Sequence, residues 1–89
     1  MKTTLLDFPD LIEKLSEQVH KTWMASRINE GWSYGPERND SLKQTPCIVP
    51  YTALPDIEKD YDRNTVRTTI KALYDLGVSI TKEGDDKNE

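Results

Sequence analysis

Two aromatic rings and a guanidinium stand close together around a Gly-Pro turn, as Trp32, Tyr34 and Arg38 of Gly31-Trp32-Ser33-Tyr34-Gly35-Pro36-Glu37-Arg38. An indole or phenol face stacks a base or a cation, and a guanidinium takes phosphate or carboxylate oxygens two at a time. The same residues have a plainer use, with Trp32 wedging the turn against neighbouring helices. Both uses are open at the level of sequence, and packing is the more ordinary one. A second cationic set, Arg63, Arg67 and Lys71, recurs at i, i+4 and i+8, which places it along one face of a helix. Such a stripe would hold an anion or an acidic partner, or simply face water.

Catalytic chemistry finds little to work with. His20 and Cys47 are the single histidine and single cysteine. One of each builds no thiolate cluster and no intramolecular disulfide. His20 sits beside Val19 without a marked nucleophile, which favours a structural hydrogen bond over proton transfer. Cys47, between Pro46 and Ile48-Val49, reads as a buried inert thiol. No phosphate-cradling glycine motif and no nucleophile-base pair is present. The expectation is a non-enzyme with no cofactor and no metal. Phosphorylation of Ser41 or Thr68 is conceivable, but the loop is short and no run of arginines precedes the serine.

These groups need elements to hold them. Asp7-Phe8-Pro9-Asp10 has the signature of a helix start, since a carboxylate accepts orphan N–H bonds and Pro tolerates the first turn. Phe8, Ile12, Leu15, Val19 and Trp23 then recur at helical spacing and predict one apolar stripe, closed near residues 29–31 by Gly31. Asp10 with Lys14 and Glu17 with Lys21 are spaced to pair across the solvent face. From Trp32 to Tyr51, Gly35-Pro36, Pro46 and Pro50 break any helical period. Trp32, Tyr34, Ile48, Val49 and Tyr51 carry too much apolar area for a free linker, so this connection should pack across the helices. Leu54-Pro55-Asp56 opens a short turn through Lys59, and Asp62 caps a second helix bearing Val66, Ile70, Leu73 and Leu76 that Gly77 ends. A brief extended segment is expected over residues 78–81 and a charged, disordered tail over 82–89. The fold class is mainly α: two amphipathic helices packed together, a long ordered irregular loop across them, and one domain over residues 1–81.

Composition narrows the partners. The 89 residues carry 12 basic and 16 acidic side chains, a formal charge of −4, half of it in the tail. An acidic chain lacks the broad basic face that nucleic acid or an anionic membrane requires. No apolar run approaches the roughly 20 residues of a membrane span. A lone cysteine and the absence of a signal-like segment point to the cytoplasm. A domain this small hides only about 60–65% of its unfolded surface, so a surface groove is a more natural site than a deep cavity.

With the elements placed, the chain resembles the ryanodine-receptor repeat domain, found in tandem in those calcium channels and also in bacterial and phage proteins. His20-Lys21-Thr22-Trp23 is similar to the family's H-x-x-W, and Gly31-Trp32-Ser33-Tyr34-Gly35-Pro36-Glu37-Arg38 to its G-W-x-Y-G-P-x-R turn. Pro46-Cys47-Ile48-Val49-Pro50-Tyr51 is similar to its P-C-L-V-P-Y stretch, followed by Leu54-Pro55 and Glu58-Lys59. Asp62-Arg63, Ile70-Lys71-Ala72-Leu73 and Leu76-Gly77 resemble the closing helix, so the likeness covers about residues 11–80. It departs at Thr45, where the family usually has His, and at Val78, where Tyr is frequent.

The resemblance implies helices around an extended loop, used as two copies related by a pseudo-two-fold. Some copies bind adenine nucleotides, some are phosphorylated, and prokaryotic versions are proposed to sense nucleotide-derived ligands. One copy stands here, and homodimerisation would recreate the pair. The leading expectation is therefore a module that recognises a small anionic ligand such as an adenine nucleotide through Trp32, Tyr34 and Arg38, with Arg63 and Arg67 contributing. The alternative is a structural interaction module that self-pairs or docks on a partner protein.

Overall fold

The computed structural model describes residues 8–80. Helix α1 runs Pro9–Asn29 and helix α2 runs Asp56–Asp75; between them lie strands β1 (Ser33–Tyr34) and β2 (Gln44–Thr45) and a 3-10 turn at Tyr51–Ala53. Two helices packed on each other with an ordered connection across them is the predicted mainly-α class.

Pro9 occupies the first turn of α1, where its missing N–H costs nothing, and Asp10 sits where a carboxylate favours the positive end of the helix. The capping residue is Phe8, whose carbonyl accepts the N–H groups of Leu11 and Ile12 at 3.0 and 3.1 Å, and among the described residues no side chain caps the helix, so Asp10 does not make the expected cap. Asp7 lies outside the described residues. The buried line of α1 is Ile12, Ser16 and His20, one position round from the predicted stripe. Leu15, Val19 and Trp23 flank it, half-buried. The reason is steric: Tyr51 comes down beside Ser16 and Glu13, and a small residue lets it approach. Ser16 meets its own need by donating from Oγ to the Ile12 carbonyl at 2.7 Å.

On α2, Val66 and Ile70 close the core against Ile12, with Leu11, Leu15, Val19, Tyr74 and Ile80 packed around them. Ile70 meets Ile12 near the start of α1 while Asp62 meets His20 further along it, so the helices run antiparallel. Two expectations for this helix fail. Nothing between Asp56 and Asp62 breaks a helix, so α2 is continuous and Asp62 lies inside it, not at its cap. Leu76 is the capping residue past the last turn and is 81% exposed. The predicted Asp10–Lys14 and Glu17–Lys21 pairs are not closed either. Long exposed side chains gain too little in water to be held in one geometry.

Both helices end alike. Gly31 and Gly77 have φ of 95° and 90°, the left-handed conformation expected of them. The N–H groups of Trp32 and Val78 return to the carbonyls of Arg27 and Leu73 at 2.9 Å. Residues 78–80 follow without helical or strand pairing; Ile80 packs onto the core, and its carbonyl accepts the Tyr74 hydroxyl at 3.1 Å. Thr81 and the charged segment 82–89 lie outside the described residues.

The connection is pinned by backbone. β1 and β2 pair in parallel, Ser33 against Gln44 and Tyr34 against Thr45. Asn39 and Gln44 exchange N–H···O bonds at 2.9 Å, and the Asn39 side chain accepts the Leu42 N–H at 3.1 Å. Lys43 adopts φ of 54° and its Nζ donates to the Glu30 carbonyl at 2.9 Å, tying the loop to the end of α1.

Candidate functional site

The return of the Trp32 N–H to Arg27 sets the first site. It brings the indole over the last turn of α1, with the Arg27 guanidinium 5.3 Å from the ring centre. Arg27 also lies 5.8 Å from the Trp23 ring one turn earlier, and Arg38 lies 5.9 Å from the Trp32 ring. Ring, cation, ring and cation therefore alternate from Trp23 through Arg27 and Trp32 to Arg38. Buried Thr45 of β2 completes a cleft of about 30 Å³, enough for one water.

Both guanidiniums have one carboxylate neighbour. Arg27 donates to Glu30 at 3.3 Å and Arg38 to Asp40 at 2.8 Å. The Asp40 hydrogen bond, with the charge behind it, raises the Arg38 pKa further above its ordinary range, so Arg38 is always a cation. A guanidinium has five N–H donors, and one carboxylate leaves several for another anion.

The structure brings together Trp32 and Arg38 of the predicted set. Tyr34 is 55% exposed; its backbone pairs with Thr45, but its side chain does not line the cleft. Arg63 is elsewhere. It donates to Glu13 of α1 and to Asp60 at 2.8 Å and lies 3.9 Å from Asp56. Glu13 is some 20 Å along α1 from Arg27, at 1.5 Å per residue. Three carboxylates occupy Arg63, and Lys71 pairs with Asp75 at 3.0 Å, so Arg67 alone of the expected stripe has no ion pair among the described residues. Arg67 lies a turn further from the loop than Arg63. Sequence reasoning missed Arg27 and Trp23 as site residues. The signal was present, because a glycine-ended helix folds its next residue back over its last turn, and Arg27 follows Trp23 by four.

Trp23 also walls a second cleft, of about 270 Å³, with His20, Cys47, Glu58, Tyr61 and Asp62. His20 bonds the Val49 carbonyl through Nε2 at 2.7 Å. A carbonyl only accepts, so Nε2 carries the proton; this is the structural hydrogen bond expected of His20. The ring stacks on Trp23 with centroids 5.6 Å apart, and its Nδ1 lies 3.8 Å from Asp62 Oδ2. Burial pushes the Asp62 carboxyl above the usual carboxylate range, opposed by His20. Burial, then Glu58, push the Cys47 thiol up, which keeps it protonated and unreactive. Among the described residues no three His, Cys, Asp or Glu side chains converge to hold a metal ion.

A third depression is an apolar groove of about 440 Å³ between the helices, walled by Leu15, Val19, Val66 and Ile70 and rimmed by uncharged Gln18, Thr22, Thr65 and Thr69.

The fold is thus a helical hairpin whose connection lays Trp32 and Arg38 against Trp23 and Arg27 at the end of α1. The chain belongs to the RyR domain family, whose sequence model matches residues 4–82 of the 89. Membership marks it, in general terms, as a binding or interaction module. At the departure from the family pattern, Thr45 is buried and its hydroxyl accepts the Cys47 N–H at 3.3 Å, a contact that helps hold the Pro46-Cys47 turn. Among the described residues no helix is long and apolar enough to cross a membrane.

Proposed function

We propose that this chain is a non-catalytic, cytoplasmic recognition module for a small anionic, nucleotide-type ligand, held at the cleft of Trp23, Arg27, Trp32 and Arg38. The alternation of two indoles with two guanidiniums carries the reading. A flat ring gains stacking on indole and an attached phosphate gains charge-assisted bonds from guanidinium, so one ligand satisfies both. The ligand enters by displacing Arg38, whose side chain is 70% exposed, from Asp40 and Trp32. An adenine nucleotide is the first candidate to test. Calorimetric titration with a nucleotide panel should show saturable binding, weakened about tenfold or more in Arg27→Ala and Arg38→Ala. No heat at about millimolar ligand, or unchanged affinity in both variants, refutes the reading.

The apolar groove between the helices supports a second reading, a module that self-pairs. None of its lining residues is charged, so two copies would meet there without like-charge repulsion. Sedimentation distinguishes the two: self-pairing predicts a dimer that Val19→Asp disperses, and a strict monomer at high micromolar concentration excludes it.

A further inference from the structure

Arg38 and Arg63 are both held by carboxylates, but in different ways. The Arg63 side chain is 19% exposed and bound by Glu13 and Asp60, with Asp56 3.9 Å away, so little of it is left for an anion from solution. Arg38 has one carboxylate, Asp40, whose Oδ1 accepts from its Nε at 2.8 Å, and both side chains are open, at 70% and 72%. An ion pair so exposed is screened by water and salt and is held only weakly. Arg38 is therefore the guanidinium that can be exchanged.

Asp40 stays in place when that pair opens. Its neighbour Asn39 exchanges two backbone bonds with Gln44 at 2.9 Å, and its own carbonyl accepts the Lys43 N–H at 3.3 Å. Asn39 Oδ1 takes the Leu42 N–H at 3.1 Å and closes the same turn. These contacts, none of which involves the Asp40 side chain, keep its carboxylate beside the cleft as a tethered anion at high effective concentration. Arg27 has a longer counterpart in Glu30, at 3.3 Å on the end of α1. The two guanidiniums and their two carboxylate neighbours balance in charge. A ligand with a single negative charge then exchanges one anion for another on Arg38 and leaves Asp40 unpaired beside it. A phosphate monoester carries a charge of roughly −2 at neutral pH and three acceptor oxygens, whereas a diester carries a single charge and one terminal oxygen fewer. Only the monoester brings the guanidiniums more than Asp40 already supplies, and it has oxygens enough for Arg27 and Arg38 together.

We propose that Asp40 is a built-in competitor for the anion cleft, and that it sets a charge threshold which a phosphate monoester passes and a phosphate diester does not. The inference rests on the recognition of an anionic ligand at this cleft, and adds to it the class of phosphate and the residue that selects it. Asp40 touches no ligand in this scheme. It acts through Arg38, by occupying the guanidinium that the ligand must take.

The test is calorimetric titration of the full chain with adenosine 5′-monophosphate and with its methyl ester, at a fixed ionic strength of about 0.1 M. The two probes share base and ribose and differ by one charge. The monoester should bind about tenfold or more tighter than the ester. Asp40→Asn removes the charge from an exposed side chain and keeps the backbone contacts of the turn, so the protein stays folded. It should tighten on both probes by about two- to fivefold, a gain that loss of a merely structural residue would not give. On an Arg38→Ala background the same substitution should gain less than about twofold, because the guanidinium being contested is gone. Binding of a probe by Asp40→Asn alone, with the unaltered chain silent, also upholds the competitor. Equal affinity of the unaltered chain for monoester and ester, no gain in Asp40→Asn, or the same gain with and without Arg38 overturns the threshold and leaves the recognition reading standing. Binding of neither probe at about 10 mM, by the unaltered chain or by Asp40→Asn, removes both.

Discussion

Arg27 holds Trp32 at two points. Its carbonyl accepts the Trp32 N–H at 2.9 Å, and its guanidinium lies 5.3 Å from the centre of the indole. The first contact exists because Gly31 turns the chain with φ of 95°, and the second follows from where the turn delivers the ring. A helix cap and the proposed ligand cleft are here the same piece of structure, so the cleft is sensitive to backbone changes at Gly31.

Gly31→Ala isolates that dependence. The added methyl has room, its nearest neighbour being the Lys43 Cδ at 3.8 Å, so the cost is the left-handed backbone alone, about 1 kcal/mol. Thermal melts should show that loss. Trp32 emission should shift to longer wavelength as the ring leaves Arg27, and anion affinity should fall with it.

Gly35→Ala tests the loop by sterics instead. A methyl there would stand 2.7 Å from the Gln44 Cβ and 2.8 Å from its Oε1, at the paired strands. The strands must separate or the backbone must shift, at a cost of about 1–3 kcal/mol. Denaturant unfolding should show Gly35→Ala more damaging than Gly31→Ala. The opposite order would mean that β1 and β2 are not held together in solution.

Asp62→Asn should stabilise the protein at neutral pH. Burial raises the Asp62 carboxyl above its unfolded value, so the folded state holds that proton more tightly than the unfolded chain does. Stability is then lost as pH rises through the carboxylate range, and the penalty is complete above the folded pKa. The gain from Asn is therefore expected in full at pH 7 and should vanish below about pH 4, where both states of Asp62 are protonated. Melting temperatures of both proteins across that range check it.

Glu13→Gln should behave in the opposite sense. The hydrogen bond from Arg63 foremost, then one from Tyr51 at 3.0 Å, holds the Glu13 carboxyl below its ordinary range against the effect of burial. A depressed carboxyl adds stability above its unfolded pKa, near 4.3, which is lost as pH falls through the lower folded value. Removing it should lower the melting temperature at pH 7 and flatten the acid limb of the stability curve. The effect is modest, because the side chain is 43% exposed and screened.

Much of this fold is written locally. Pro9, Gly31 and Gly77 mark three helix ends by their own backbone preferences, and the spacing of Val66 and Ile70 marks the buried face of α2. The buried line of α1 is less legible, because Ser16 and His20 are polar and their burial depends on Tyr51 and Val49, 35 and 29 residues away. The same holds for the clefts. Trp32 and Arg38 are conspicuous beside their Gly-Pro turn, while Arg27 joins them only through the cap. Arg63 reads as a free cation until the antiparallel packing of the helices sets it against Glu13. Charge on a helix face is visible in sequence, but its neutralisation across helices is not.

The central claim is that the indole and guanidinium groups at the end of α1 take a small anion. Amide and indole chemical-shift mapping during titration with an adenine nucleotide tests it most directly. The account predicts saturable shifts of both indole N–H signals and of amides in residues 27–45, with those of Arg63 and Arg67 unmoved. Shifts centred on Arg63 and Arg67 with the indoles silent, or no saturable shifts at all, would contradict it.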